Sequence, residues 1–405
     1  MPFRLFLALA ICFSAGGQTI DALKKQAAAM KAKGNAQGAM EVFEKAAKLA
    51  PESAEIEDEI GFLLAVLQRG PEAKAHFQRA IRLQPSYGPA HYHLGVIYWQ
   101  EQDPNTSIPL LEAAAKLDPN RFDYRYRLGV AYRDVAHFSE AVRELQAAAG
   151  LQPRNADAWS AYGFALQKAG DRAAAVRAYE KSVMLEPANL DARNNFGFLL
   201  VETGQAERGI QEFRKVLQAD PRNLTAMVNI GFAHLQTGDY GHAIEQFREV
   251  IRRDPNLALA HYDLGLALKQ KDDLDGARKE LTEAIRLDPN MAEAHYTLGI
   301  TVWQDGDFEE TAKQMKAAVT LRPEYAEAHY MLGTALKQKG DLEGAIKTLR
   351  EAIRLDPNNP GPHNTIGQVL RLTGDLEGSK AAFAEGARVK QLREAEQAET
   401  LKKKF

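Results

Sequence analysis

One cysteine in 405 residues, Cys12, is all the thiol chemistry this chain carries. It lies inside an apolar N-terminal run. Removal of that run in maturation would exclude disulfides, thiolate catalysis and cysteine metal sites in one step. An excess of either charge is missing too: 51 Lys and Arg stand against 54 Asp and Glu, for a net charge of −3. Nucleic-acid binding needs a basic surplus gathered on one face, and the one basic run, Lys402 to Lys404, reads as a solvated end. No apolar stretch approaches the roughly 18 residues that mark a membrane-spanning helix. Local signatures of catalysis are lacking as well, with no Gly-Lys pair for a phosphate loop, no His-Glu-x-x-His and no Gly-x-Ser-x-Gly.

The N-terminus has a character of its own. Met1–Arg4 is a short basic start, Leu5–Phe13 an apolar run, and Ser14 to Gly17 supply small residues. This is the three-part pattern of a secretory signal peptide, too short to span a bilayer stably. The expectation is a signal over 1–17, cleavage near Gly16–Gln18, and an exported chain, periplasmic or secreted. The alternative is a lipid anchor on Cys12 after Leu9-Ala10-Ile11, although Ile11 is bulky for that processing box.

What the chain has in abundance is repetition. Prolines recur every 34 residues from Pro51 through Pro85, Pro119 and onward to Pro357, and glycines do the same from Gly61 to Gly367. Each period reads as two helices. In 292–325, Ala294, Leu298, Thr301 and Val302 form one face at helical spacing. Gly306-Asp307 interrupts it, and Thr311, Met315, Ala318 and Val319 form a second. Arg322-Pro323 closes the unit, because a residue preceding proline is disfavoured in helix. A single unit cannot bury its own apolar face, so neighbours must stack.

Trp159, Tyr162, Gly163, Leu166, Ala175, Tyr179, Ser182 and Pro187 follow the pattern of the tetratricopeptide repeat, which the chain resembles over about 20–393. His261, Leu264, Gly265, Leu268, Ala277, Leu281, Ala284 and Pro289 fill the same positions. The resemblance implies an all-α solenoid, a right-handed superhelix of antiparallel helix pairs, with about eleven repeats. An atypical capping repeat over 18–53 has Ala27 in place of the glycine; ten tandem repeats follow over 54–393, and 394–405 ends a polar solvating helix. Pro109 falls inside a second helix, where a bend is expected. With 20–393 given to repeats, no segment remains for a catalytic domain, and the expectation is a non-enzyme without cofactor.

Two motifs suggest chemistry and receive plainer readings. His91, His261, His295, His329 and His363 share one register. Facing helices pack about 8–10 Å apart, whereas ligands of one zinc lie about 2 Å from it, so the series reads as packing at the family's aromatic position and no metal site is expected. The sequons Asn105-Thr106-Ser107 and Asn223-Leu224-Thr225 read as turn residues.

Function in such an array belongs to the concave face lined by the first helix of each repeat. Positions three before, two before, one after and four after the glycine are expected there. They select Tyr262, Tyr296 and Tyr330; Asn195 and Asn229; Phe164, Phe198 and Phe232; and Trp99, Trp303, Lys269 and Lys337. The tyrosines also suit packing between repeats, and both readings stand at this point. An exposed apolar ridge marks a binding surface, and asparagine both donates to and accepts from a peptide backbone. Related long superhelices grip extended polypeptide with such asparagines. The family's carboxylate clamp needs Lys three before the glycine and Asn just after it, and no repeat here has either. The expected partner is a protein or peptide, bound by a scaffold; the alternative is a recognition or assembly subunit of an envelope or glycosyltransferase-type complex. Net charge near zero is compatible with self-association and fixes no oligomeric state.

Overall fold

A computed structural model describes residues 20–402, with side-chain burial through Glu399. The expected signal segment 1–17, Cys12, and the tail lysines 403 and 404 lie outside the described residues. Among the described residues every regular element is an α-helix. The chain divides into two units, Met1–Leu199 and Leu200–Phe405.

The first unit contains α1 (20–32), α2 (Ala36–Leu49), α3 (Ala54–Val66), α4 (Gly70–Leu83), α5 (Gly88–Gln100) and α6 (Pro104–Leu117). It continues with α7 (Phe122–Asp134), α8 (Phe138–Leu151), α9 (Ala156–Lys168) and α10 (Arg172–Leu185), and the division falls within α11 (Leu190–Glu202). The second unit contains α12 (Ala206–Ala219), α13 (Leu224–Gln236), α14 (Tyr240–Arg253), α15 (Ala258–Gln270), α16 (Leu274–Leu287) and α17 (Ala292–Gln304). It ends with α18 (Phe308–Leu321), α19 (Ala326–Gln338), α20 (Leu342–Leu355), α21 (Pro360–Leu372) and α22 (Leu376–Lys402). Odd-numbered helices are the first of each repeat and even-numbered ones the second.

The periodic glycine is explained by the residue sixteen positions later, which lies on it. A Cβ on Gly129 would meet Leu145 Cγ at 2.6 Å, and one on Gly231 would meet the Phe247 ring at 2.6 Å. The same pairing joins Gly61 to Phe77, Gly163 to Tyr179 and Gly333 to Leu349. Removing one methyl group thus lets a large side chain lie directly on the partner backbone, and Phe77, Leu145, Tyr179, Phe247 and Leu349 are all essentially fully buried. Each such burial contributes roughly 1.5–3 kcal/mol. Small residues at the start of the second helix complete the contact. Ser107 Oγ donates to the Gly95 carbonyl at 2.7 Å and Ser379 Oγ to that of Gly367 at 2.8 Å.

Turns between paired helices need one residue in the left-handed region, supplied by glycine at Gly170, Gly238, Gly306 and Gly340 among others. Four repeats place a side chain there instead: Gln68, Gln102, Ala136 and Asp272, with φ between 60° and 63°. The next residue is often an aspartate that caps the second helix; Asp171 accepts from Ala174 N and Asp341 from Gly344 N, both at 2.9 Å.

Several local expectations meet the structure here. Helix α6 runs through the exposed Pro109 without interruption. Asn223 caps α13, accepting from Ala226 N, whereas Asn105 sits in the first turn of α6 and not in the preceding loop. That is a correction: Pro104, suited to the first helical position, starts the helix one residue before the sequon. Through Lys402 the polar C-terminal segment continues the last repeat's second helix without a break, since α22 is 27 residues long.

Candidate partner-binding faces

Successive first helices touch one another within each unit: α3 with α5, α5 with α7 and α7 with α9 in the first, and α13 with α15, α15 with α17 and α19 with α21 in the second. Among the described residues, second helices make no contact of that extent with one another. Instead they carry exposed Glu-x-x-Arg pairs, such as Glu283–Arg286 and Glu351–Arg354. The first helices therefore form the more closely spaced row of each unit.

In the first unit, Asn195 is exposed and Phe164, Phe198 and Trp99 are half-buried. Two cations flank the Phe164 ring: the Arg133 guanidinium lies 5.8 Å from its centroid and the Lys168 ammonium 5.6 Å. Arg133 comes from the preceding repeat, so this aromatic face is bordered by positive charge from two repeats. Trp99 packs with Tyr126 and Val96 on the core of its unit.

In the second unit, Asn229, Phe232, Tyr262, Tyr296, Tyr330, Trp303, Lys269 and Lys337 are all half-buried. Two of the three tyrosines meet the next repeat: the Tyr296 ring lies 4.8 Å from that of Tyr325, and the Tyr330 ring sits 2.9 Å from where a Cβ on Gly361 would be. Tyr262 packs on the apolar core of its unit. Burial raises the phenol pKa of both Tyr262 and Tyr296. Trp303 packs on Phe308, at the start of its own second helix, with centroids 4.8 Å apart. Tyr296 and Tyr330 thus join repeats while each stays only half-buried.

The two lysines differ. Lys337 Nζ donates to Gln368 Oε1 of the following repeat at 2.7 Å. Burial pushes the Lys269 ammonium below its usual range, and no carboxylate among the described residues pairs with it. A desolvated cation without a counterion is suited to a carboxylate or carbonyl brought by a ligand. Also on α15 is Asp263, two before Gly265 and thus in the register of Asn195 and Asn229. It is 7% exposed, and burial pushes its carboxyl up to about 7. Sequence reasoning passed over Asp263; the signal was an acidic residue in the asparagine register.

The histidine series has a structural task that its aromatic character did not reveal. His91 Nε2 faces the Pro85 carbonyl at 2.9 Å, and His261, His295 and His329 face those of Pro255, Pro289 and Pro323. In the same register Trp159 Nε1 donates to Pro153 O at 3.1 Å, Arg125 Nε to Pro119 O at 3.1 Å and Arg193 to Pro187 O at 2.9 Å. The shared property is an N–H donor, and arginine meets it as well as an aromatic ring does. Where the register holds Glu57 or Met227, an arginine from a second helix takes over: Arg79 donates to Pro51 O and Arg253 to Pro221 O. These bonds satisfy a carbonyl that no helix reaches.

Open clefts also lie along the second helices. One of about 880 Å3 is bordered by Lys313, Lys316, His329, Lys347 and Glu351, and none of the twelve candidate residues lines it.

Two repeat families match the sequence. A tetratricopeptide repeat model matches 63–122, 228–292, 262–310 and 296–360. The tetratricopeptide domain of cytochrome c-type biogenesis protein H matches 133–256. Together they leave only 123–132 uncovered between 63 and 360. The chain is a tetratricopeptide repeat protein. A repeat protein of this kind from Parabacteroides merdae superposes with a TM-score of 0.55 at 15% identity, over 62% of this chain and 98% of the other. Yeast Tom70 aligns over 95% of both chains at 15% identity, with a TM-score of 0.49. YrrB, described as having an unusual peptide-binding site, aligns over 46% of this chain and 96% of its own at 24% identity and a TM-score of 0.38. No curated protein sequence matches significantly. The tetratricopeptide fold supports a protein–protein interaction scaffold, and no helix among the described residues is long and apolar enough to cross a membrane.

Proposed function

We propose that this chain is a non-catalytic scaffold of an exported compartment that holds extended polypeptide on its first-helix faces. The observation that carries the reading is the combination, on those helices, of part-exposed aromatic rings, exposed Asn195 and the desolvated, unpaired Lys269. Apolar side chains supply burial, amides read the peptide backbone, and the lysine fixes register on an acceptor. Export rests on the pattern of 1–17.

A photocrosslinking amino acid placed at Phe198 or Phe232 tests the face in a diderm bacterial host. Recurrent adducts with the same exported protein, absent when the probe replaces Arg350 on α20, are expected. Equal labelling from both faces would contradict the assignment. Mass spectrometry of the mature N-terminus tests export separately: a start near Gln18 is expected, an intact N-terminus refutes it, and a lipidated Cys12 gives the anchored form.

A second reading draws on the match of 133–256 to the cytochrome c-type biogenesis protein H repeat domain. In it the scaffold serves as an assembly subunit of an envelope complex, and co-purification with membrane-bound maturation machinery distinguishes it.

A further inference from the structure

The repeat pattern breaks at a place that the binding faces do not use. Three residues after the glycine, most repeats carry an apolar side chain, as at Leu166, Leu200, Leu268, Val302 and Leu336. In the repeat of Gly231 that position is His234. Its ring is directed at the turn joining α13 to α14, where it meets Asp239 and His242. Asp239 Oδ2 lies 3.3 Å from His234 Nδ1 and 2.6 Å from His242 Nδ1. The two imidazole centroids are 5.3 Å apart.

We propose that His234, Asp239 and His242 form a binding site for one divalent transition-metal ion of the zinc class, with water completing its coordination. Their ligand atoms all lie within 4.8 Å of one another. Four ligands held about 2.0–2.2 Å from a tetrahedral ion are about 3.4 Å apart, so side-chain adjustments of about 1 Å close the site. His242, whose side chain is 67% exposed in the first turn of α14, has the freedom to make them. The carboxylate is already oriented, because Asp239 Oδ1 accepts from the His242 backbone N–H. Two imidazoles and one carboxylate suit zinc and its neighbours, whereas calcium and magnesium take all-oxygen sets. Ligands come from both helices and the turn between them, so the ion ties α13 to α14.

Titration calorimetry of the tag-free full chain with zinc chloride, in a non-chelating buffer, tests the site. The expected result is saturable binding of one ion together with a rise in the melting temperature. His234→Leu restores the residue most repeats use, and His242→Gln alters an exposed side chain, so both variants keep the helical circular-dichroism spectrum. Each is expected to weaken zinc binding at least tenfold and to abolish the melting shift. Absence of saturable binding in the wild type, or wild-type affinity in either variant, overturns the three-ligand site.

Discussion

Asp263 ties the stability of the second unit to pH. Its carboxyl is 7% exposed and pushed up to about 7 by burial, against about 3.9 in an unfolded chain. An acid with a raised folded pKa prefers its neutral form in the native state. Its contribution is therefore most favourable below about pH 3.9, is lost progressively as pH rises toward 7, and is constant above that. At about 1.36 kcal/mol per pKa unit, the two units between pH 5 and pH 7 amount to about 3 kcal/mol. Asp263→Asn keeps the size and polarity and removes the titration. Urea unfolding of both proteins at pH 5, 6, 7 and 8 checks the value, and taking their difference cancels the other titrating groups. The variant should gain about 3 kcal/mol on the wild type between pH 5 and pH 8, nearly all of it before pH 7. A gap that stays constant across that range would refute the reasoning.

Substitutions at three further positions test the packing account. Gly129→Ala puts a Cβ 2.6 Å from Leu145 Cγ and 3.1 Å from its backbone nitrogen, and should destabilise by roughly 1–3 kcal/mol in thermal or urea unfolding. Ala136→Gly relieves a residue held at φ 61° and should stabilise by about 1 kcal/mol, because the left-handed region costs a side chain roughly 1–2 kcal/mol; a loss of stability would show that turn to be unstrained. Trp159→Phe keeps the ring but removes the donor to Pro153 O, with an expected loss of about 1 kcal/mol. Trp159→Arg, the residue type used at 125 and 193, should recover part of it.

The helix pairs were legible because proline, glycine and apolar spacing all repeat on the same 34-residue period. The glycine period was legible as a position, and Leu145 and Phe247 show which atoms occupy the space a Cβ would take. The donor to the proline carbonyl was not legible. Reading position 261 as an aromatic slot grouped it with Trp159 and hid Arg125 and Arg193, although all of them carry an N–H. The tyrosine row was ambiguous for a physical reason: one ring can join two repeats by its edge and leave a face exposed, and spacing cannot tell which atoms do which. Lys269 was legible as a position on the first helix, while its desolvation depends on neighbours that only the folded chain brings together.

The central claim is that the first-helix faces hold extended polypeptide, and peptide binding measured by fluorescence anisotropy tests it most directly. Peptides selected from a displayed random library are titrated against the wild type and two variants, one bearing alanine at Asn195, Phe198, Asn229 and Phe232, the other at Glu249, Arg252, Glu283 and Arg286 on second helices. Saturable binding weakened at least tenfold only by the first set is the predicted result. Affinity that survives the first set, or falls equally with the second, would contradict the account.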